Sequence, residues 1–237
     1  MAGFETLATQ HGTGFHPFSQ ARLLDGSIAT NYYLRADYQV NTDGVCLGLA
    51  SAFLLYSKKN AGTKHPTVWI SEFMMEADSA WLDSSGRFHR VSDLQKLVAG
   101  VMQDQAANGA LDTIENVFRE GMWNVGLKYQ DGSKFRFSGW GLNNLVRSQV
   151  ERGPRDNYWL MILGHIGGGL HAVALRSMIH PITGNRTLLL FDPNLGVVQF
   201  QGNITCLKNL QDFMDGWAVG QDGSKYAPIT ASLYRFS

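Results

Sequence analysis

Asn157-Tyr-Trp-Leu-Met-Ile-Leu-Gly-His-Ile166, Leu170-His-Ala-Val-Ala-Leu-Arg-Ser-Met-Ile179 and Arg186-Thr-Leu-Leu-Leu-Phe-Asp192 follow one another closely in the second half of the chain. Each is an apolar run of strand length, rich in the aliphatic and aromatic side chains that fit a pleated surface. Gly167-Gly-Gly169 separates the first two, and Pro181-Ile-Thr-Gly-Asn185 separates the second from the third. The latter break has the composition of a hairpin loop, so the second and third runs are predicted to pair antiparallel. Val197–Phe200 reads as a fourth strand, residues 205–217 as a helix, and Ala231–Phe236 as a last strand.

Upstream the periodicity is helical. Cys46-Leu-Gly-Leu-Ala-Ser-Ala-Phe-Leu-Leu-Tyr carries Leu49, Ala50, Phe53 and Leu54 at helical spacing, which predicts a buried helix from about 45 to 58. Lys58 and Lys59 suit its negative end, and Gly62 follows. Ser92 with Gln95 and Asp112 with Glu115 are capping-box patterns that open helices of about 92–105 and 113–122. A further helix is predicted over about 140–152, stopping before Gly153-Pro154. Residues 1–40, punctuated by Gly12, Gly14, Pro17 and Gly26, read as an irregular segment of the same domain that continues over 41–237. Helices first and antiparallel strands afterwards predict one α+β domain, with helices packed on an antiparallel sheet.

The composition of the 237 residues narrows the function. Hydrophobic residues make up 44% and charged residues 17%, a core-rich balance that argues against disorder. Twenty Lys plus Arg meet twenty Asp plus Glu, so no basic excess is present to hold a nucleic-acid backbone. The apolar stretch Trp159–Leu175 is broken by His165, Gly167–Gly169 and His171 and does not read as a membrane span. The start, Met-Ala-Gly-Phe-Glu-Thr, lacks the basic and apolar regions of a cleaved signal peptide, so a soluble protein with reduced thiols is expected. Cys46 and Cys206 make no disulfide framework, and no Cys/His spacing suits a zinc site; neither metal nor organic cofactor is implied.

The two cysteines are not equivalent. Cys46 falls at a predicted helix start, where unpaired amide N–H groups and the helix dipole favour a thiolate nucleophile. Position alone leaves open the plainer reading of a buried small hydrophobe. His171 opens an apolar strand next to a glycine-rich turn and is a candidate proton acceptor for that thiol. Asp192, one hairpin further on, is placed to hold the imidazole by its other nitrogen and to stabilise its charge. Asn41 precedes Cys46 by five residues and is a candidate oxyanion-hole amide beside the Cys46 backbone N–H, or else a loop-capping side chain. Asp43 reads as the helix cap. Cys206 shares a helical period with Leu210 and Phe213 and reads as core, while His165 reads as a strand histidine with no partner motif after it.

Asn41-x-x-Gly44-Val45-Cys46, His171-Ala-Val-Ala174 and Phe191-Asp-Pro-Asn194-x-Gly196 together resemble the YopT/AvrPphB cysteine peptidases of the papain-like superfamily. The resemblance spans about residues 38–200, with its motifs in three short windows. It implies a papain-like fold, the catalytic helix lying on an antiparallel sheet. It also implies Cys46 as nucleophile, His171 as general base, Asp192 as orienter and Asn41 as oxyanion-hole amide. The family's members are bacterial effectors. The resemblance therefore implies synthesis in a bacterial cytoplasm, secretion into a host or target cell, a protein substrate there, and a secretion chaperone or immunity protein as a further partner. The same triad also serves Gln deamidases and transglutaminases, and a papain-like scaffold can act as a non-catalytic binding module. These remain the two alternatives to peptidase action.

Overall fold

The computed structural model describes residues 4–19, 46–60, 62–76, 81–82, 88–89, 127–133, 149–151, 156–165, 170–220 and 228–237. In chain order these form α1 (Phe4–His11), β1 (Gly14–Pro17), α2 (Cys46–Lys59), α3 (Pro66–Glu76), β2 (Trp81–Leu82) and β3 (Phe88–His89). There follow β4 (Tyr129–Ser133), β5 (Asp156–His165), β6 (Leu170–Ile179), β7 (Arg186–Asp192), β8 (Gly196–Gly202), α4 (Ile204–Gly220) and β9 (Pro228–Phe236).

The three quoted runs are the middle of one antiparallel sheet, ordered β1-β8-β7-β6-β5-β9-β4. β5 and β6 pair from Asp156↔Met178 to Gly164↔Leu170, and β6 and β7 from Ala174↔Phe191 to Ile179↔Arg186. The strands are apolar on both faces because both faces are covered. Tyr158, Leu160, Ala172, Ala174, Leu189, Phe191, Tyr234 and Phe236 pack with α2 and α3. The alternate residues Trp159, Met161, Leu163, Val173, Leu175, Leu188, Leu190 and Leu233 pack with α4 and α1. Side-chain alternation along each strand thus divides one sheet between two cores, and the α+β expectation holds.

α2 is buried all round from Cys46 to Ser57, as its nearly uninterrupted apolar sequence dictates. At its centre Phe53 stacks on Phe191 of β7 at 4.8 Å and meets Trp69 and Phe73 of α3 at 5.4 Å each. Phe53→Ala should therefore cost about 3–5 kcal/mol, since it opens a cavity between the sheet and both helices. Urea denaturation followed by circular dichroism measures it, and a loss under about 1 kcal/mol would show that the cluster closes over the gap. At the far end of the helix, buried Arg176 of β6 donates through Nη1 to the Ser57 carbonyl at 2.5 Å. Its guanidinium also lies 5.1 Å from the Tyr158 ring, 5.9 Å from the Trp69 ring and 3.5 Å from the Asp156 carboxylate. A cation there complements the negative end of the helix.

One reading of the sequence is corrected. The segment expected to be irregular over 1–40 is regular where it is described: α1 and β1 are a helix and the outermost strand of the same sheet. Leu7 and Ala8 are buried against the α4 side, and Phe4 meets Phe213 edge-on at 5.1 Å. Tertiary contact, rather than local propensity, orders so short a stretch. α3 was not foreseen either. Its signals are Pro66 at the first helical position and the spacing of Trp69, Ile70 and Phe73. The helices expected over about 92–105 and 113–122 lie outside the described residues. Of the one expected over about 140–152, residues 149–151 are described and helical. No helix among the described residues is long and apolar enough to cross a membrane.

Candidate active site

Three element termini meet at one end of the sheet. Cys46 is the first residue of α2, His171 the second of β6, and Asp192 the last of β7. β6 and β7 run in opposite directions, so the start of one lies by the end of the other. His171 Nε2 is 2.9 Å from Asp192 Oδ1, an imidazole N–H donating to a carboxylate. The imidazole also hydrogen-bonds with the Cys46 side chain. Because Nε2 faces Asp192, Nδ1 is the ring nitrogen left for the sulfur. All three residues are buried, Cys46 and His171 at 8% exposure each and Asp192 at 2%.

A tight turn fixes the carboxylate. Asn194 N–H donates to Asp192 Oδ1 at 2.8 Å, and Leu195 N–H donates to the Asp192 carbonyl at 3.0 Å. Aspartate suits this position because its short side chain bonds the backbone two residues on, and Pro193 presets the turn. One oxygen, Oδ1, thus serves both the turn and the histidine.

Burial by itself pushes the His171 imidazole towards its neutral form. The Asp192 charge, its hydrogen bond, and the hydrogen bond and charge of Cys46 outweigh it, raising the pKa from 6.5 to about 10. The imidazolium is thus the favoured form at neutral pH. A histidine whose pKa is higher folded than unfolded contributes stability that is complete below the unfolded value and disappears as pH rises through the folded one. Thermal stability should accordingly lose this contribution between about pH 6.5 and about pH 10. Melting temperatures of wild type and His171→Gln at several pH values across that window check it: the difference between them should shrink with rising pH. A constant difference would mean that His171 carries no extra proton.

The other expectations sort as follows. Asn41 and Asp43 lie outside the described residues, as does the Gly167–Gly169 turn. His165 ends β5, where the register with β9 shifts; the histidine that meets both Cys46 and Asp192 is His171. Both cysteines are free. Cys206 is fully buried in the α4 core with Leu210 and Phe213, and its thiol donates to the Asn203 carbonyl at 3.0 Å. Burial pushes its pKa up. His65 and His180 accept backbone N–H groups in local turns. Among the described residues no group of three or more His, Cys, Asp or Glu side chains is gathered to hold a metal. The sequence assigns no role to Phe18, Gly196 or Arg176; Phe18 and Gly196 lie against the turn that carries Asp192, and Arg176 holds the far end of α2.

A buried helix that begins with a cysteine and lies on an antiparallel sheet, with a strand-borne histidine and carboxylate at its start, is the papain-like α+β architecture. The fold is shared with AvrPphB, an avirulence protein of Pseudomonas, at a TM-score of 0.59 and 14% sequence identity over 85% of this chain and 94% of that one. A weaker likeness, TM-score 0.46 and 11% identity, is to PatoxP, a cysteine protease-like domain of the Photorhabdus asymbiotica toxin PaTox. It covers 99% of this chain and 56% of that one. No protein-family model and no curated protein matches the chain. The resemblance drawn from the sequence is thus met at the level of the fold.

Proposed function

We propose that the chain is a cysteine peptidase acting on a protein substrate. The observation that carries this reading is the gathering of three groups: Asp192 Oδ1 on His171 Nε2 at 2.9 Å, with Cys46 a further partner of the imidazole. The Cys46 thiolate attacks the scissile carbonyl, and the His171 imidazolium gives its proton to the departing amine. The neutral imidazole then takes a proton from water, which hydrolyses the thioester and restores the thiol pair. Asp192 holds the ring and stabilises its charge through both steps. Asn41 and the Cys46 backbone N–H are the proposed donors to the tetrahedral oxyanion.

The fold shared with a Pseudomonas avirulence protein supports a bacterial effector delivered into a target cell, with its substrate there. A secretion chaperone or an immunity protein would complete its partners. The test is mass spectrometry of host-cell extract treated with wild type or Cys46→Ala. New peptide termini found with wild type alone support peptidase action. Intact chains with Gln converted to Glu would replace it with deamidation, and Gln-linked adducts with transglutamination. No change, together with a Cys46 inert to iodoacetamide, would leave a binding module.

A further inference from the structure

The outermost strand of the sheet ends against the turn that carries Asp192. β1 pairs with β8 from Gly14↔Gln199 to Pro17↔Gly196, and Gly196 is also the partner of Asp192 across β7 and β8. The next residue, Phe18, donates its N–H to the Leu195 carbonyl at 3.2 Å. Its buried ring meets Phe191, the chain neighbour of Asp192, at 5.6 Å. Phe191 in turn stacks on Phe53 of α2, the helix that starts with Cys46.

Gly196 is where these pieces crowd. Its φ of +132° is one that side chains rarely adopt, and a Cβ there would lie 2.2 Å from the His16 carbonyl oxygen and 3.0 Å from both Pro17 Cα and Phe18 N. The chain therefore gives up a side chain at this point so that β1 can press directly on the turn. The turn's own bonds, Asn194 N–H to Oδ1 and Leu195 N–H to the Asp192 carbonyl, close it from inside. Phe18 closes it from outside.

We infer that β1, with Phe18 after it, is a positioning element for the Asp192 carboxylate, fixing the 192–196 turn and through it the aim of Oδ1 at His171 Nε2. This rests on the reading of His171 and Asp192 as a working pair. A displacement of about 1 Å is enough to weaken a catalytic alignment strongly, so an outer strand that restrains the turn acts on turnover without touching substrate. Among the described residues, Asp192 from β7 and Cys46 from α2 are ionisable groups that act on the imidazole. A shift in the His171 titration therefore reports whether Asp192 stays in place.

The experiment follows the His171 ring by NMR against pH in wild type, Gly196→Ala, Phe18→Ala and Leu7→Ala, with His171→Gln used to assign the signal. Leu7→Ala loosens the same N-terminal segment at buried α1, remote from the turn, and serves as the control for plain destabilisation. Gly196→Ala and Phe18→Ala should move the titration towards neutral pH by roughly one unit or more, the mark of a tenfold weaker hold on the imidazolium. Leu7→Ala should lower the melting temperature but titrate as wild type. Phe18→Ala keeps the test decisive if Gly196→Ala does not fold. Wild-type titration in both turn variants, or an equal shift in Leu7→Ala, overturns the inference. An ordinary imidazole titration in wild type itself overturns the His171–Asp192 pair and the inference with it. Failure to cleave any protein while His171 still titrates high would overturn the peptidase reading alone.

Discussion

Cys46→Ala should abolish turnover, by at least about 10⁴-fold in kcat, and leave the fold in place. The expected loss is that large because, on the proposed mechanism, the sulfur forms the covalent bond of the acyl-enzyme. The stability change is small because alanine is well tolerated in a helix and the change removes a single atom from the first residue of α2. Turnover of a cleaved protein and a urea melt of the same preparation measure the two effects. Cys206→Ala is the internal control. That residue is fully buried among Leu210 and Phe213 on the opposite face of the sheet, so its loss should cost stability and spare activity. An inactive but folded Cys206→Ala protein would reverse the assignment of the nucleophile.

Asp192→Asn should lower kcat by roughly 10³–10⁴-fold while the chain still folds. Asparagine keeps an oxygen acceptor for the Asn194 N–H, so the turn survives. It removes the largest of the contributions that together outweigh burial and raise the imidazole pKa. The alkaline limb of the pH–rate profile should therefore move from near the His171 value of about 10 down towards the ordinary 6.5. A purely structural Asp192 would lower the amount of folded protein and leave the limb of the remainder unmoved. Circular dichroism and the pH–rate profile separate the two outcomes.

What could be read from the sequence follows from how far each signal extends. β5, β6 and β7 are seven to ten residues each and apolar on both faces, so their composition marks them without help from the rest of the fold. α2 is a buried helix with a full apolar period, and the reactive groups at its start and at two strand ends occupy short, recognisable motifs. β1 is four residues long and contains a proline; it is a strand because β8 is beside it. The role of Gly196 was equally hidden, since Gly after Asn194-Leu195 reads as an ordinary turn ending, and the reason for it is the His16 carbonyl, 180 positions earlier in the chain. Arg176 did leave a trace, a guanidinium inside an apolar strand. Its purpose became visible only when the end of α2 was placed against it.

That contact between Arg176 and Ser57 also meters the distance to the Cys46–His171 end of the sheet. From Cys46 to Ser57 is eleven residues of helix (57 − 46), about 17 Å at a helical rise. From His171 to Arg176 is five residues of strand (176 − 171), again about 17 Å at an extended rise. Helix and strand are thus cut to a common gauge, with the sulfur facing the imidazole at one end and the guanidinium grasping a carbonyl at the other. Adding one residue to α2 would advance its start by about 1.5 Å and rotate it by about 100°, so the chain could keep either mark of the gauge but not both. The number of residues in this helix is therefore as much a part of the proposed chemistry as the identity of its first.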